Sequence, residues 1–402
     1  MDKVCFESYR KKYEKELFDS CIRFWLENGI DHEHGGIYTA LTREGNVYTT
    51  DKSVWLNGRA LWMFSSLCST YGKKQKWIGA ANLCKSFLDK YCIDPADGRM
   101  YFTVTGDGRP LRKRRYMFSE TFYIIGNAAY GKAFNDQTAI ETARKYFDMT
   151  LSIYQDRSKD PSHPAPKFNP ETRSMRSFSE PMILLNVSHI MQECDEANKE
   201  LYYRTAEELT DDIFKYFVHE NLQAVLENVG PNGEFLADTM QGRIVNPGHV
   251  LECVWFLLTQ LERTGDETLL PKIERIFDWS VNIGWDEKYE GLFYFKDVMG
   301  YTPEALEHDM KVWWGQCEMI IASLLLYEKT GKEKYWKWFV KLDEYVTRAF
   351  RDEEYGEWYG YLHYDNTPTI PICKGNMFKG PFHVPRMLML AERCLARLAA
   401  RA

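Results

Sequence analysis

At 402 residues, with 45% hydrophobic and 15% aromatic residues, the chain can bury a large core as one large domain or two ordinary ones. Its net charge of −7 argues against a general nucleic-acid binder. There is no run of about 18 apolar residues to cross a membrane, and the start, Met1-Asp2-Lys3-Val4-Cys5-Phe6-Glu7, has no apolar signal core. Ten cysteines lie scattered without a C-x-x-C pair, and Cys253, Cys317 and Cys394 sit in apolar helical patterns, so we read reduced core thiols in a cytoplasmic protein.

Phe6, Tyr9, Tyr13, Leu17, Cys21, Phe24 and Trp25 recur at helical spacing and predict an opening helix. Asp31-His32-Glu33-His34-Gly35-Gly36-Ile37-Tyr38 breaks it and leads into a short strand pair. Ser53 starts a second helix through Trp55, Arg59, Trp62 and Leu67, and a third runs from Lys76 to Tyr91. The pattern then repeats, with a turn and strand over 94–102, a helix from Ser119 and a partner helix over 136–151. Further helices are predicted over 181–194, 199–217, 247–264, 267–283, 311–330, 333–350 and 385–399. Acidic-Gly-aromatic turns recur at Asn232-Gly233-Glu234-Phe235, Glu290-Gly291-Leu292-Phe293-Tyr294 and Tyr355-Gly356-Glu357-Trp358-Tyr359.

A helix–hairpin–helix unit with a period of roughly 50–70 residues signals an array or toroid. No Gly/Ser/Pro-rich linker divides the chain. The expectation is a single all-α domain over 1–402, an (α/α)6 barrel (toroid) with short β-hairpins in the interhelical loops. Its site would lie where the hairpins meet the inner-helix termini. The longest irregular stretch, Asp156 to Arg176, is the candidate lid.

Four clusters could carry chemistry. In Asn246-Pro247-Gly248-His249, Asn246 is a good N-cap and Pro247 suits the first helical position, which puts His249 in a first turn with Glu252 on the same face. The electropositive helix end lowers a histidine's pKa, and the neighbouring carboxylate suits a proton-abstracting site. A structural histidine capping the helix reads the same way. Arg59 lies in a nearly all-apolar helix, so it pairs with a buried carboxylate or points at a ligand oxygen. Glu318, four residues after Trp314 and followed by Met319-Ile320-Ile321-Ala322, faces the barrel centre or an ion pair. His383 sits in a Gly- and Pro-bracketed loop just before the last helix.

An arginine, two histidines and one or two glutamates at helix starts suit proton abstraction next to a sugar carbonyl. The carbanion has to be held as an enediolate, with a cation or hydrogen-bond donor at its oxygen. Two bases on opposite sides invert the carbon, so two histidines fit an epimerisation at C2. G-x-S-x-G and H-E-x-x-H are absent, and no metal is expected.

The chain resembles the N-acylglucosamine 2-epimerase family along its whole length. The resemblance is carried in order by His34-Gly35-Gly36, Val54-Trp55-Leu56-Asn57-Gly58-Arg59 with Trp62-Met63, Gly108-Arg109-Pro110, Phe118-Ser119-Glu120, and Pro181 through Asn186. It continues through Ala224-Val225-Leu226-Glu227-Asn228-Val229, Asn246-Pro247-Gly248-His249, Gly291 through Phe295, Trp313-Trp314, Tyr355-Gly356-Glu357-Trp358 and Phe382-His383-Val384-Pro385-Arg386. It implies an (α/α)6 barrel, a homodimer, and interconversion of N-acetyl-D-glucosamine and N-acetyl-D-mannosamine. It also implies that His249 and His383 are the acid/base pair, that Arg59 and Glu318 are essential, and that Glu252 orients His249. Trp62, Phe118, Glu120, Asn186, Trp313 and Lys379 are the expected sugar-binding residues. No cofactor is expected for the chemistry, but the resemblance implies stimulation by ATP, bound and not consumed. No P-loop is present; Arg109, Arg112, Lys113, Arg114 and Arg115 are the candidate phosphate-binding residues, against a solvated basic loop. The same scaffold serves cellobiose and mannose 2-epimerases and aldose–ketose isomerases, and a non-catalytic protein-binding role is a further rival. An inverting hydrolase would pair carboxylates such as Glu120 and Glu318.

Overall fold

The computed structural model describes residues 3–402. α1 (Lys3–Lys15) continues through a π-helical segment, Glu16–Ile22, into α2 (Arg23–Asn28). There follow α3 (Val54–Tyr71), α4 (Gln75–Tyr91), α5 (Phe118–Phe134), α6 (Gln137–Gln155), α7 (Ser179–Cys194) and α8 (Lys199–Asp212), which runs on as a second π-helical segment, Ile213–Phe217. The chain ends with α9 (Pro247–Thr264), α10 (Leu269–Gly284), α11 (Trp313–Thr330), α12 (Glu333–Ala349) and α13 (His383–Arg401).

Two kinds of helix alternate. α3, α5, α7, α9, α11 and α13 are buried nearly all round, whereas α4, α6, α8, α10 and α12 bury one stripe and turn a charged face outward. The first set packs side by side in chain order as an inner ring, and each member is backed by an outer helix. Tyr71 of α3 donates to Glu392 of α13 at 2.9 Å, and α1 covers α13, so the ring closes as an (α/α)6 barrel. One apolar core runs from Phe6 to Ala399.

The connections decide where a site can form. Inner-to-outer links are short (72–74, 135–136, 195–198, 265–268, 331–332), and outer-to-inner links are long (29–53, 92–117, 156–178, 218–246, 285–312, 350–382). Short links make neighbours antiparallel, so all inner helices run the same way and their N-termini share the long-loop end. Glycine lets them approach. A Cβ on Gly248 of α9 would meet the Trp314 ring at 2.6 Å, and one on Gly58 of α3 would meet the Phe122 backbone at 2.8 Å.

The long loops repeat a device that goes beyond the turns anticipated from sequence. Asp31, Asp94, Asp286 and Asp352 each accept a backbone N–H two residues on, closing the turn. Each also receives a lysine from further along its own loop: Lys52 (2.6 Å), Lys113 (2.7 Å), Lys311 (2.6 Å) and Lys374 (2.8 Å). In the first copy Gly36 adopts φ 75°, and a Cβ there would strike Asn57. The turn at 232–235 lacks this staple; there Glu234 instead accepts from Asn232.

Short hairpins do form within the loops. Thr103–Val104 pairs with Pro110–Arg112 and Val218–His219 with Ala224–Val225, and single antiparallel bridges join Ile30 to Ile37, Ile93 to Met100, Trp285 to Leu292 and Arg351 to Trp358. Four other pairs stitch one loop to the next: Lys52–Ser53 with Thr103–Val104, Arg176–Ser177 with Asn228–Val229, Ile244–Val245 with Lys296–Asp297, and Lys311–Val312 with Tyr361–Leu362. The stitches lie immediately before α3, α7, α9 and α11, so they fix the helix ends that carry the site. The loop over 156–178 roofs a cavity of about 530 Å³ lined by Arg115, Tyr116, Phe168, Arg176 and Asn228 among others, and Asp160 ties it down to Arg99.

Candidate active site

The start of α9 is built as its sequence requires. Asn246 accepts from the His249 N–H at 3.2 Å, Pro247 opens the helix, and His249 stands in the first turn. Its carboxylate partner is Glu227, not Glu252: Nδ1 lies 3.0 Å from both Glu227 oxygens. Glu227 is delivered by the loop preceding α9, whose carbonyl and N–H groups pair with Phe178 and Ile244. Burial lowers the affinity of His249 for a proton, but the Glu227 charge and hydrogen bond outweigh it, and the pKa is raised. This reverses the lowering expected from the helix end, because a full charge at contact exceeds a partial one.

His383 is the first residue of α13, one position inside the helix and not in the loop before it. Its Nδ1 lies 2.8 Å from Glu318 on α11. Its pKa is lowered well below the usual histidine range, first by burial and then by the nearby Arg59 and Arg386 charges. With Nδ1–H donating to a carboxylate, each imidazole in its neutral form carries its lone pair on Nε2, the tautomer these partners select. The two rings flank Trp314, with centroids 5.1 Å (His249) and 5.8 Å (His383) from it.

Glu318 is completely buried and serves several partners. It accepts from Trp255 Nε1 at 2.8 Å and from Arg386 at 2.8 Å, besides facing His383. The same Arg386 nitrogen donates to Glu252 at 2.6 Å. Glu252 is therefore the counter-ion of Arg386 and lies behind the site. Glu252, Glu318 and His383 offer ligand atoms all within 4.8 Å of one another, a spacing a cation could use. The cation already among them is the Arg386 guanidinium, whose Nη2 touches both carboxylates and lies 3.3 Å from His383 Nδ1.

Arg59 resolves the choice left open by its sequence. No carboxylate of the described residues forms a salt bridge with it; its guanidinium lies between the rings of Phe122 (4.0 Å) and Phe382 (4.9 Å). Burial pushes its pKa down to about 9, which leaves it cationic at neutral pH. Glu252 and Glu318 are close enough to favour its charge without binding it, so its donors stay open to a ligand.

The other anticipated sugar contacts divide. Trp62 packs edge-on against Phe382 beside Arg59, and Asn186 is 7% exposed with no hydrogen-bond partner among the described residues, an amide left for a ligand. Trp313 stands 6.3 Å from the His383 ring. Phe118 stacks on Tyr116 and meets Trp55 edge-on at the start of α5, one turn before Phe122. Glu120 is not in the site: it is 0% exposed and pinned by Arg99 (2.7 Å) and the Met100 N–H, which anchors the loop before α5. That also removes it as half of a hydrolytic carboxylate pair with Glu318. Lys379 is likewise committed, 1% exposed and paired with Glu357 at 3.0 Å.

The basic run 109–115 forms no single anion cradle. Arg109 pairs with Asp107, Lys113 with Asp94 and Asp97, and Arg114 lies over the Phe102 ring at 4.0 Å. Arg112 and Arg115 remain exposed without a carboxylate partner among the described residues.

Two members of this constellation carried no assigned role in the sequence. Glu227 lies 22 residues before His249, and no spacing rule joins a loop carboxylate to a helix at that separation. Arg386 was legible in principle: it stands three residues after His383, on the same face of an apolar helix, as anomalous there as Arg59 in α3.

Residues 35–379 match the family model described as N-acylglucosamine 2-epimerase (GlcNAc 2-epimerase). The chain is 36% identical over 398 residues to the N-acylglucosamine 2-epimerase of Bos taurus, covering 98% of this chain and 93% of that one. It is 35% identical over 404 residues to that of Homo sapiens, covering 100% and 93%. In fold it is similar to the structure of cellobiose 2-epimerase from Spirochaeta thermophila, with a TM-score of 0.84 at 22% identity over 98% of both chains.

Proposed function

Since the chain belongs to the N-acylglucosamine 2-epimerase family, we propose that it is a carbohydrate isomerase interconverting N-acetyl-D-glucosamine and N-acetyl-D-mannosamine through a two-histidine exchange of the C2 proton. The observation that carries this reading is the pair of carboxylate-backed imidazoles, His249 on Glu227 and His383 on Glu318, flanking one tryptophan beside an open arginine. On this reading a sugar seated by Trp314 offers one face of C2 to each imidazole, as inversion at that carbon requires.

The environments push the two pKa values apart, which assigns resting roles. His383, lowered, rests neutral and acts as base; His249, raised, is the better holder of the proton to be delivered. Nε2 of His383 takes the C2 proton of the open-chain aldehyde, and the C–H electron pair moves to the carbonyl oxygen. Arg59 stabilises that oxyanion, since a fixed guanidinium in a low-dielectric site is worth more than in water. Nε2 of His249 then returns a proton to the other face, and the reverse direction exchanges the roles.

The test is incubation with N-acetylmannosamine in deuterated water. Deuterium at C2 of the N-acetylglucosamine formed is the expected result; no exchange with any N-acylated aldose would overturn the proposal. A ketose product would instead indicate the isomerase chemistry that this scaffold also supports. ATP enters as an effector that is bound and not consumed, with exposed Arg112 and Arg115 open to its phosphates; the same assay with and without ATP tests that. A cytoplasmic homodimer is the working form we propose, and sedimentation of the purified chain checks the dimer.

A further inference from the structure

One buried ion pair stands outside this chemistry yet touches the loop that delivers it. Glu357 is 0% exposed and Lys379 1%, and they meet at 3.0 Å. Every acceptor position on the carboxylate is used. One oxygen takes the Trp358 N–H (2.8 Å) and Lys379, and the other takes the Cys21 thiol (2.9 Å) and Trp25 Nε1. Burial and the Glu357 charge push the Cys21 thiol well up, so it remains the donor. Ser20 additionally accepts the Glu357 N–H at 3.0 Å. Ser20 and Cys21 lie in the π-helical segment Glu16–Ile22, a widened turn of the kind that recurs at functional positions. Glu357 itself is a non-glycine residue held at φ 58°. A left-handed backbone of this sort costs of order 1–3 kcal/mol and persists only where its surroundings enforce it.

Placing two charges in the interior stabilises little, because desolvation offsets their attraction; apolar residues of equal volume would serve stability as well. What the pair does offer is a fixed position. Lys379 is followed by Gly380, Pro381, Phe382 and then His383. The tether is stiff: Asn376 accepts the Lys379 N–H at 2.8 Å, and Pro381 fixes its own φ. The Phe382 N–H reaches Gly380 at 2.8 Å, and the Arg386 N–H reaches Phe382 at 2.7 Å. The Lys379 ammonium also lies 5.9 Å from the Trp313 ring, which faces His383.

We propose that Glu357 and Lys379, gripped by the π-helical segment of the first helix, form a positioning brace that sets where His383 meets C2. Neither residue touches the sugar. The brace joins the first helix to the last, across the seam where the barrel closes, and it serves one of the two bases only. His249 is held independently, by Glu227 and the stitch before α9.

That one-sidedness gives a readout that a general loss of stability would not move. The inference rests on the two-histidine reading, under which each base exchanges the C2 proton of one epimer with solvent. Deuterium wash-in is measured separately from N-acetylglucosamine and N-acetylmannosamine at early times, and the ratio of the two rates is taken. Wild-type exchange from both sugars establishes the reading itself; its absence would sink that reading, not the brace. His383→Asn and His249→Asn should drive the ratio in opposite directions. Lys379→Met, and the charge-free pair Glu357→Gln with Lys379→Met, should move it in the His383→Asn direction by about ten- to a hundredfold, the cost of misplacing a reacting group by an ångström or less. Trp25→Phe removes one donor from the carboxylate with little change of shape, and should move the ratio the same way by less; it carries the test if the stronger variants do not fold. An unchanged ratio in whichever of these variants folds, with both rates falling together, would overturn the brace.

Discussion

Arg386→Met tests whether the centre is organised around one shared guanidinium. In the native site Arg386 lies 2.6 Å from Glu252 and 2.8 Å from Glu318, with their ligand atoms within 4.8 Å of each other. The guanidinium carbon lies 5.1 Å from the Trp255 ring and 4.5 Å from the Phe382 ring; methionine puts a polarisable apolar group of similar reach there and removes the charge, so electrostatics should dominate the loss. Two carboxylates no more than 4.8 Å apart repel by about 3.5 kcal/mol or more at an effective dielectric of ~20. That agrees with the ~3–5 kcal/mol typical of breaking a buried pair. At ~2.1 cal/mol/K per residue, 402 residues give an unfolding entropy of ~0.84 kcal/mol/K, so a cooperative melt should fall by about 4–6 °C. Adding Glu252→Gln removes the repulsion and should restore most of that stability while activity stays low. Calorimetry of wild type, Arg386→Met and the double variant decides it. A single variant melting within about 1 °C of wild type, with no recovery from Glu252→Gln, would refute the shared-guanidinium assignment.

Arg59→Met should lower kcat/KM by about 10²–10³-fold, the usual cost of losing an oxyanion donor, with little change in melting temperature because Arg59 has no ionic partner among the described residues to strand. Glu227→Gln should lower kcat by about 10²-fold and shift the high-pH limb of the direction in which His249 donates toward lower pH, since Glu227 is what raises the His249 pKa; an unmoved limb would count against the dyad. His383, with its folded pKa depressed below the unfolded value of about 6.5, contributes stability that is present above that pH and lost as pH falls toward its folded pKa. His249, with its pKa raised, contributes in the opposite sense: its stability is present below about pH 6.5 and lost as pH rises through its folded pKa. His383→Asn should therefore flatten the acid-side fall in melting temperature, measured in steps below pH 6.5, and a fall as steep as wild type would show that the buried ring does not titrate.

The opposite pKa shifts of the two histidines follow from their surroundings, burial and then neighbouring charge, not from the imidazoles themselves. His249 faces a half-buried carboxylate delivered by a loop, and nothing else competes for Glu227 among the described residues. His383 shares Glu318 with Arg386 and Trp255, so the carboxylate's capacity to favour an imidazolium is divided among three donors. With burial first disfavouring the charged ring, and Arg59 and Arg386 then opposing a further positive charge, the same dyad chemistry yields a neutral ring.

Legibility in the sequence tracked locality. The inner helices, the N-cap at Asn246 and the first-turn place of His249 rest on contacts within four residues, and periodicity and capping chemistry expose those directly. The repeated turns were visible as acidic-Gly-aromatic stretches, but the lysines that staple them were not. Lys52 and Lys311 follow their aspartates by 21 and 25 residues, a separation with no periodic signature. The same blindness misassigned two buried ions. Glu120 and Lys379 look like Glu318 and Arg59 on paper, polar groups at the edge of apolar runs, and only tertiary pairing with Arg99 and Glu357 separates an anchor from a ligand contact. Glu252 shows the limit most sharply. Its spacing from His249 is right for a helix-face partner, yet Arg386 arrives from α13 and claims it, leaving the histidine to a carboxylate 22 residues back in the loop that leads into its own helix. Same-face spacing fixes which groups can meet, and the charge brought in by neighbouring helices fixes which of them do.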